Sequence, residues 1–243
     1  MSGKTTRDDM YATRVAAPGD FVFDETVAAV FPDMISRSVP GYPAIINMIT
    51  LLADRYAQPG STLCDLGCSL GASTVALATG AAGRNCHVIG VDNAPAMLDR
   101  ARALSHADHP AIVWRCEDVR TVGIADASVV VLNFTLQFLP VDDRLALLNR
   151  VHEGLRPGGV LILSEKVAGT DEQANDLLVE MHHAFKRANG YSELEISRKR
   201  SALESVLVPE TLERHRARLE DAGFARCDVW FQCFNFVSMV ARR

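Results

Sequence analysis

The chain has 243 residues, 48% apolar and 23% charged, an ordinary globular composition. That length corresponds to one domain, or one with an appended lobe, and buries about 70–75% of its unfolded surface without a disulfide or metal. The 25 Lys and Arg against 30 Asp and Glu leave a formal charge of −5, which argues against gripping nucleic acid or a membrane through clustered cations as the main activity.

Met1 to Arg14 lacks the apolar core of a signal peptide. No run reaches the roughly 18 apolar residues of a membrane span, so the expected location is cytoplasmic. Residues 1–22 read as a flexible N-terminus and 23–243 as a single domain, with helical cap segments at 23–58 and 165–222. Cys64, Cys68, Cys86, Cys116, Cys227 and Cys233 form no C-x-x-C pair and are expected to be buried free thiols, with no zinc site.

In chain order, Asp24–Phe31 and Tyr42–Tyr56 look helical. Apolar, β-branched runs follow at Thr62–Leu66, His87–Val91, Ala111–Cys116, Ser128–Asn133 and Val160–Ser164. Between them lie the helical stretches Ser73–Ala82, Ala94–Ala107 and Asp142–Leu155, with Pro95 suited to a first helical turn. Near-continuous apolar strands alternating with helices predict a parallel sheet covered on both faces. Arg156-Pro157-Gly158-Gly159 is expected to end a helix and turn the chain into the next strand. Helices are expected at Glu172–Asn189, Ser197–Val206 and Pro209–Ala222. Arg226–Phe231 and Asn235–Val240 then form an antiparallel pair.

The turn Asp65-Leu66-Gly67-Cys68-Ser69-Leu70-Gly71 after the first core strand has three readings. A dinucleotide fingerprint needs glycine where Ser69 stands, and its third position is off by one. Gly67 to Gly71 also spells G-x-S-x-G, a nucleophile elbow. That motif needs an acid and then a His later in the chain, and His152 or His182 would have to serve. His152 lies in a helical pattern, where a packed or solvated role is the default.

The third reading is a nucleoside pocket. Asp92 ends the second strand, where a carboxylate can accept from both ribose hydroxyls. Asp118 follows the third strand, placed for an adenine amino group, with the Val119 N–H facing a ring nitrogen. Asn133 ends the fourth strand and faces the same crevice. Any one of these has a plain alternative as a turn or cap residue; their recurrence at successive strand ends favours the pocket. Asn133-Phe134-Thr135-Leu136 is not the Asn-Pro-Pro-Tyr motif of amino-group methylation.

This element order is similar to class I S-adenosylmethionine-dependent methyltransferases. Further blocks extend the resemblance: Phe31-Pro32-Asp33-Met34-Ile35, Arg37 to Tyr42, Asp92-Asn93-Ala94-Pro95-Ala96-Met97 and Val130 to Leu139. So do Phe185-Lys186-Arg187-Ala188-Asn189-Gly190-Tyr191 through Ser197, Lys199-Arg200, and Trp230 to Phe236. Together they resemble the carboxy-S-adenosyl-L-methionine synthase family from about Gly19 to the C-terminus.

The resemblance implies a Rossmann-like α/β fold with a mostly parallel seven-stranded sheet, a C-terminal antiparallel hairpin and a helical cap. It implies that S-adenosyl-L-methionine and prephenate give carboxy-S-adenosyl-L-methionine and phenylpyruvate, for 5-oxyacetic acid modification of tRNA wobble uridine. In the mechanism proposed for the family, prephenate loses carbon dioxide and its hydroxyl leaves as the base. The base takes a proton from the sulfonium methyl, and the resulting ylide captures the carbon dioxide, so no protein base is required. Alternatives are a small-molecule methyltransferase and a non-catalytic carrier of the carboxylated nucleoside.

Site residues carry over as Tyr42, Gly67, Cys68, Ser69, Asp92, Asn93, Asp118, Val119, Asn133 and Arg200, with Tyr191 as a further substrate-site candidate. Around Asp118 this chain has Glu117 where the family usually has Gly, and Val119 for Ile; Asp118 is preferred over Glu117. Arg200 also has a physical argument: an Arg suits a carboxylate that it can bind bidentately, not a cationic sulfonium. Of Arg198, Lys199 and Arg200, about 100° apart on a helix, one or two reach a common pocket. Lys186, Arg187, His182 and His183 are read as ordinary helix-surface residues. The resemblance further implies a homodimer, in which Arg200 serves its own or the neighbouring subunit, and a downstream tRNA-modifying carboxymethyltransferase. No metal, membrane or direct nucleic-acid contact is expected.

Overall fold

Strand β4 (Ala127–Asn133) is buried almost throughout because both of its faces are covered. Val130 and Leu132 enter one core cluster with Leu147, Leu148 and Val151, whereas Val129 and Val131 enter another with Ile45, Ile49 and Leu77. The two-residue period of a strand thus sends alternate side chains into opposite cores. β5 (Leu155–Ala168) divides likewise, Leu161 and Leu163 to one side, Val160 and Ile162 to the other.

The computed structural model describes residues 7–8, 22–105, 109, 111–203 and 206–243. The remaining strands are β1 (Thr62–Leu66), β2 (His87–Asp92), β3 (Val113–Cys116), β6 (Glu210–Thr211), β7 (Arg226–Cys233) and β8 (Phe236–Arg242). Seven lie side by side as β3-β2-β1-β4-β5-β8-β7, and β6 pairs with the end of β5. β1 to β5 are parallel, and β8 is antiparallel to both β5 and β7. The expected seven-stranded sheet with a terminal hairpin is therefore present. Its order reverses between β1 and β4, where open α/β sheets bind ligands at the strands' carboxyl ends.

The helices are α1 (Glu25–Ser38), α2 (Tyr42–Tyr56), α3 (Ala72–Gly80), α4 (Pro95–Ser105), α5 (Val141–Gly154), α6 (Glu172–Ala188), α7 (Glu193–Leu203) and α8 (Leu212–Asp221). Three boundaries correct the sequence reading. α1 continues through Pro32 to Ser38, since Val27, Val30 and Met34 keep one buried stripe going past the proline. α7 starts earlier, at a capping box in which Ser192 Oγ accepts from Glu195 N (3.2 Å) and Ser192 N donates to Glu195 Oε2 (2.8 Å). The Arg156 to Gly159 segment lies inside β5, not before it. It bulges between the pairs Ala127–Leu155 and Val129–Val160, with Gly158 at φ +76°.

The thiol expectation is corrected too: Cys64 and Cys68 are buried, but Cys116 is exposed. Of the N-terminal segment 1–22, only Arg7, Asp8 and Val22 are described; the expected flexibility of the others lies outside the described residues. Asp8 is buried, at 1% exposure. Among the described residues, no helix is long and apolar enough to cross a membrane.

Candidate active site

The carboxyl ends of β1, β2, β4 and β5 and the turn after β3 open into a cavity of about 830 Å³. Tyr42, Gly67, Cys68, Ser69, Asp92, Asn93, Asp118, Val119, Asn133 and Arg200 all line it. Residues of α1, α6 and α7 form its cover. Glu117, the rejected alternative to Asp118, is exposed and outside the lining.

The glycine turn is fixed by its neighbours. Gly67 has φ +80°, and a Cβ there would meet Thr135 Cγ2 and Oγ1 at 2.4 Å. Gly71, at φ +83°, similarly faces the Trp114 ring at 2.4 Å. Both positions need glycine for conformation and for space. The N–H groups of Gly67 and Cys68 donate to Val91 O, at 2.8 and 2.9 Å.

Asp92 ties the turn to the next helix: Oδ2 accepts from Ser69 N (2.8 Å) and Oδ1 from Ala94 N (2.9 Å). Burial pushes its carboxyl above the ordinary range, while these N–H donors pull it down. Each oxygen retains acceptor capacity for a ligand hydroxyl. Behind the turn, fully buried Asp65 accepts from Thr74 Oγ1 at 2.6 Å, linking β1 to α3; burial pushes its carboxyl up to about 7.

Asn133 donates through Nδ2 to Ser73 Oγ (2.9 Å), but Asn133 Oδ1 and Ser69 Oγ are buried without a partner among the described residues. Among the described residues no His is hydrogen-bonded to Ser69 Oγ, so the elbow motif forms no catalytic triad there. His152 packs edge-on against Phe224 at 5.1 Å, and His182 donates through Nε2 to Ser38 O at 2.8 Å. Burial pushes the His182 imidazole down to about 3. Asp118 is already held by Arg120, accepting from its backbone N (2.8 Å), Nε and Nη2, which lowers the carboxyl below its ordinary range.

The opposite wall is cationic. Lys166, Lys186, Lys199 and Arg200 line it, together with His182 and His183. This corrects the surface reading of Lys186, His182 and His183; Lys186 is 6% exposed. The Lys199 ammonium is engaged, lying 3.4 Å from Asp8 Oδ2 and 3.1 Å from Ser38 Oγ. Tyr191 is not part of the lining. It sits behind the wall, donating to Asp8 Oδ2 at 2.5 Å, with the Arg37 guanidinium 3.9 Å above its ring.

Sequence reasoning missed Lys166, although the strand-end rule that found Asp92 and Asn133 applies to it. The apolar run of β5 points to an end at Ser164, whereas the strand continues four residues further, to Ala168, and Lys166 lies in that stretch.

A methyltransferase domain model matches residues 63–159. A carboxy-S-adenosyl-L-methionine synthase of Geobacter sp. (strain M21) is 57% identical over 244 residues, covering 99% of each chain. The chain belongs to the carboxy-S-adenosyl-L-methionine synthase family. Another synthase, from Aliivibrio fischeri (strain MJ11), is 56% identical over 96% of this chain and 98% of its own. The synthase fold is that of class I methyltransferases. PigF with SAH has a TM-score of 0.65 at 14% identity, covering 98% of this chain and 66% of that one. Human N-acetylserotonin methyltransferase in complex with SAM has a TM-score of 0.61 at 16% identity, covering 90% and 55%.

Proposed function

We propose that this cavity binds S-adenosyl-L-methionine along the strand ends and, with prephenate, forms carboxy-S-adenosyl-L-methionine, phenylpyruvate and water. The observation that carries the reading is the division of charge across one cavity. Asp92 and Asp118 stand at the β2–β3 end of the strand-end row; Lys166, near the end of β5, stands at the other end with Lys186 and Arg200 of the helical cover. A cationic wall is unfavourable beside a sulfonium that donates its methyl to a neutral acceptor. It suits an anionic second substrate and a product that has gained a carboxylate.

The nucleoside fits the strand-end side. Asp92 has free lone pairs for ribose hydroxyls, and Asp118 with the Val119 N–H suits the adenine edge. The orphaned Ser69 Oγ and Asn133 Oδ1 are acceptors awaiting donors, such as the amino group of the methionine portion. Gly67 leaves the backbone open to close approach. Arg200, exposed at the cavity's edge, would hold the new carboxylate, from its own or a neighbouring subunit of a homodimer.

Prephenate supplies both halves of the exchange. It leaves as phenylpyruvate, releasing carbon dioxide and hydroxide. Hydroxide takes one proton from the sulfonium methyl to give water, and the carbon dioxide replaces that proton. This balance calls for no protein base and no metal. The product would serve a carboxymethyltransferase acting on tRNA wobble uridine, so the protein itself needs no nucleic-acid surface.

Purified protein given S-adenosylmethionine and prephenate is expected to release phenylpyruvate over many turnovers, with a carboxylated nucleoside detected by mass spectrometry. Methyl transfer to an added acceptor without phenylpyruvate would replace the synthase with a methyltransferase. Binding of the carboxylated nucleoside without turnover would indicate a carrier.

A further inference from the structure

The cations on the covering wall are not equivalent. Lys199 has Asp8 as counterion, and Arg120, beside the adenine end, has Asp118 and Asp143. Lys186 is as deeply buried as Lys199 but has no ion-pair or hydrogen-bond partner among the described residues. Its ammonium lies 6.0 Å from the centre of the Tyr191 ring. Lys166, near the end of β5, also lacks a side-chain partner among the described residues; its backbone N–H donates to Gln137 Oε1 at 2.9 Å.

An ammonium withdrawn from water without a counterion is costly, and folded proteins pair such groups or neutralise them. Burial and the neighbouring Lys199 and Lys166 push the Lys186 ammonium down to about 7, with the more distant Asp8 carboxylate offsetting only part of that. An anion in the cavity would reverse that pressure.

We propose that Lys186 and Lys166 form an anion subsite for the carboxylate that stays on the co-substrate, distinct from the Arg200 position that receives the transferred one. The ligand class is an α-keto carboxylate within a dicarboxylic acid. Such an acid presents one carboxylate to be lost as carbon dioxide and another that leaves with the carbon skeleton. The inference rests on the synthase reading and adds to it the residues that select a dianion. The lysines hold and orient the retained carboxylate, turning the other towards the sulfonium side of the cavity.

The experiment compares wild type, Lys186→Met, Lys166→Met and Lys186→Arg. Steady-state turnover of prephenate at saturating S-adenosylmethionine is measured beside the Kd for S-adenosylhomocysteine. Calorimetric binding of prephenate to the S-adenosylhomocysteine complex is measured for every variant. Each methionine variant is expected to raise KM and Kd for prephenate by about 10-fold or more, equivalent to about 1.4 kcal/mol. S-adenosylhomocysteine affinity should change by less than about 2-fold, which also shows that the variant is folded, and Lys186→Arg should recover most of the loss. Unchanged prephenate binding in the methionine variants overturns the subsite. An equal loss for both ligands overturns it as well, and places the lysines on the nucleoside's own α-carboxylate. If wild type binds prephenate through Lys186 without turning it over, the subsite stands and the synthase reading falls.

Discussion

Asp8 reaches 183 positions along the chain to meet Tyr191 and, with it, Lys199, making it a sensitive place to perturb the covering wall. Asp8→Asn keeps the side-chain shape but removes the charge opposite a lysine that is 4% exposed. Left charged, Lys199 bears the cost of a broken buried pair, about 3–5 kcal/mol. Neutralised at pH 7 instead, it gives up a proton that the wild-type fold holds only to about 8, which costs about 1.4 kcal/mol at 1.36 kcal/mol per unit. The second route is the cheaper and sets the loss, which for a chain of this length lowers Tm by about 3–6 °C.

The sign of the pH dependence follows from the same group. Lys199 is held down to about 8 in the folded protein, mainly by burial, and Asp8 opposes that shift. Removing Asp8 lowers it further. From that depressed value up to the free-lysine value the unfolded chain binds the extra proton, so stability rises with pH across this interval. At pH 9.5 Lys199 is neutral in both proteins, so the deficit of Asp8→Asn relative to wild type should all but vanish. Adding Lys199→Met should recover most of the loss at pH 7, since no buried charge is then left unpaired. Thermal melts at pH 7 and 9.5 provide the assay. A drop below about 2 °C for Asp8→Asn at pH 7, or no recovery in the double variant, would refute the buried pair.

Two further substitutions test the nucleoside side and the carboxylate side. Gly67→Ala forces a left-handed alanine, costing about 1–2 kcal/mol, against Thr135 at 2.4 Å. S-adenosylhomocysteine binding by calorimetry should weaken about 10-fold or more, and wild-type affinity would show that the turn adapts freely. Arg200→Met should weaken retention of carboxy-S-adenosylmethionine by about 10-fold or more while leaving S-adenosylmethionine nearly unaffected. Equal losses for the two ligands would place Arg200 away from the carboxylate.

The parts legible in the sequence are those that local periodicity controls. Alternation in β4 and β5, glycines at a strand-to-helix turn and acids at strand ends all follow from backbone geometry within a few residues. They put Asp92 and Asn133 at the cavity and give the sheet order its class. Some local signals were present but overlooked: Ser192 and Glu195 form a capping box that marks the true start of α7. The sequence reading ends α1 at Phe31, but the buried stripe through Met34 outweighs the helical hydrogen bond that Pro32 removes.

Charge compensation on the covering wall has no comparable local signature. Lys199 and Arg200 are adjacent and both line the cavity, yet one is neutralised by a residue near the N-terminus and the other lies exposed at the cavity's edge. Lys186 looked like a solvated cation on an amphipathic helix. It is buried because α6 packs across α1 and the start of β8, where His182 meets Ser38 and Phe236. Whether a lysine is surface, ion-paired or available to a ligand depends on which distant carboxylate arrives beside it. Asp8 pairs with Lys199 at 3.4 Å and reaches Lys186 only as a more distant charge, and among the described residues no carboxylate stands within ion-pair distance of Lys186. That difference, set by tertiary packing rather than by helical spacing, separates the lysine that braces the wall from the one left to meet an anion.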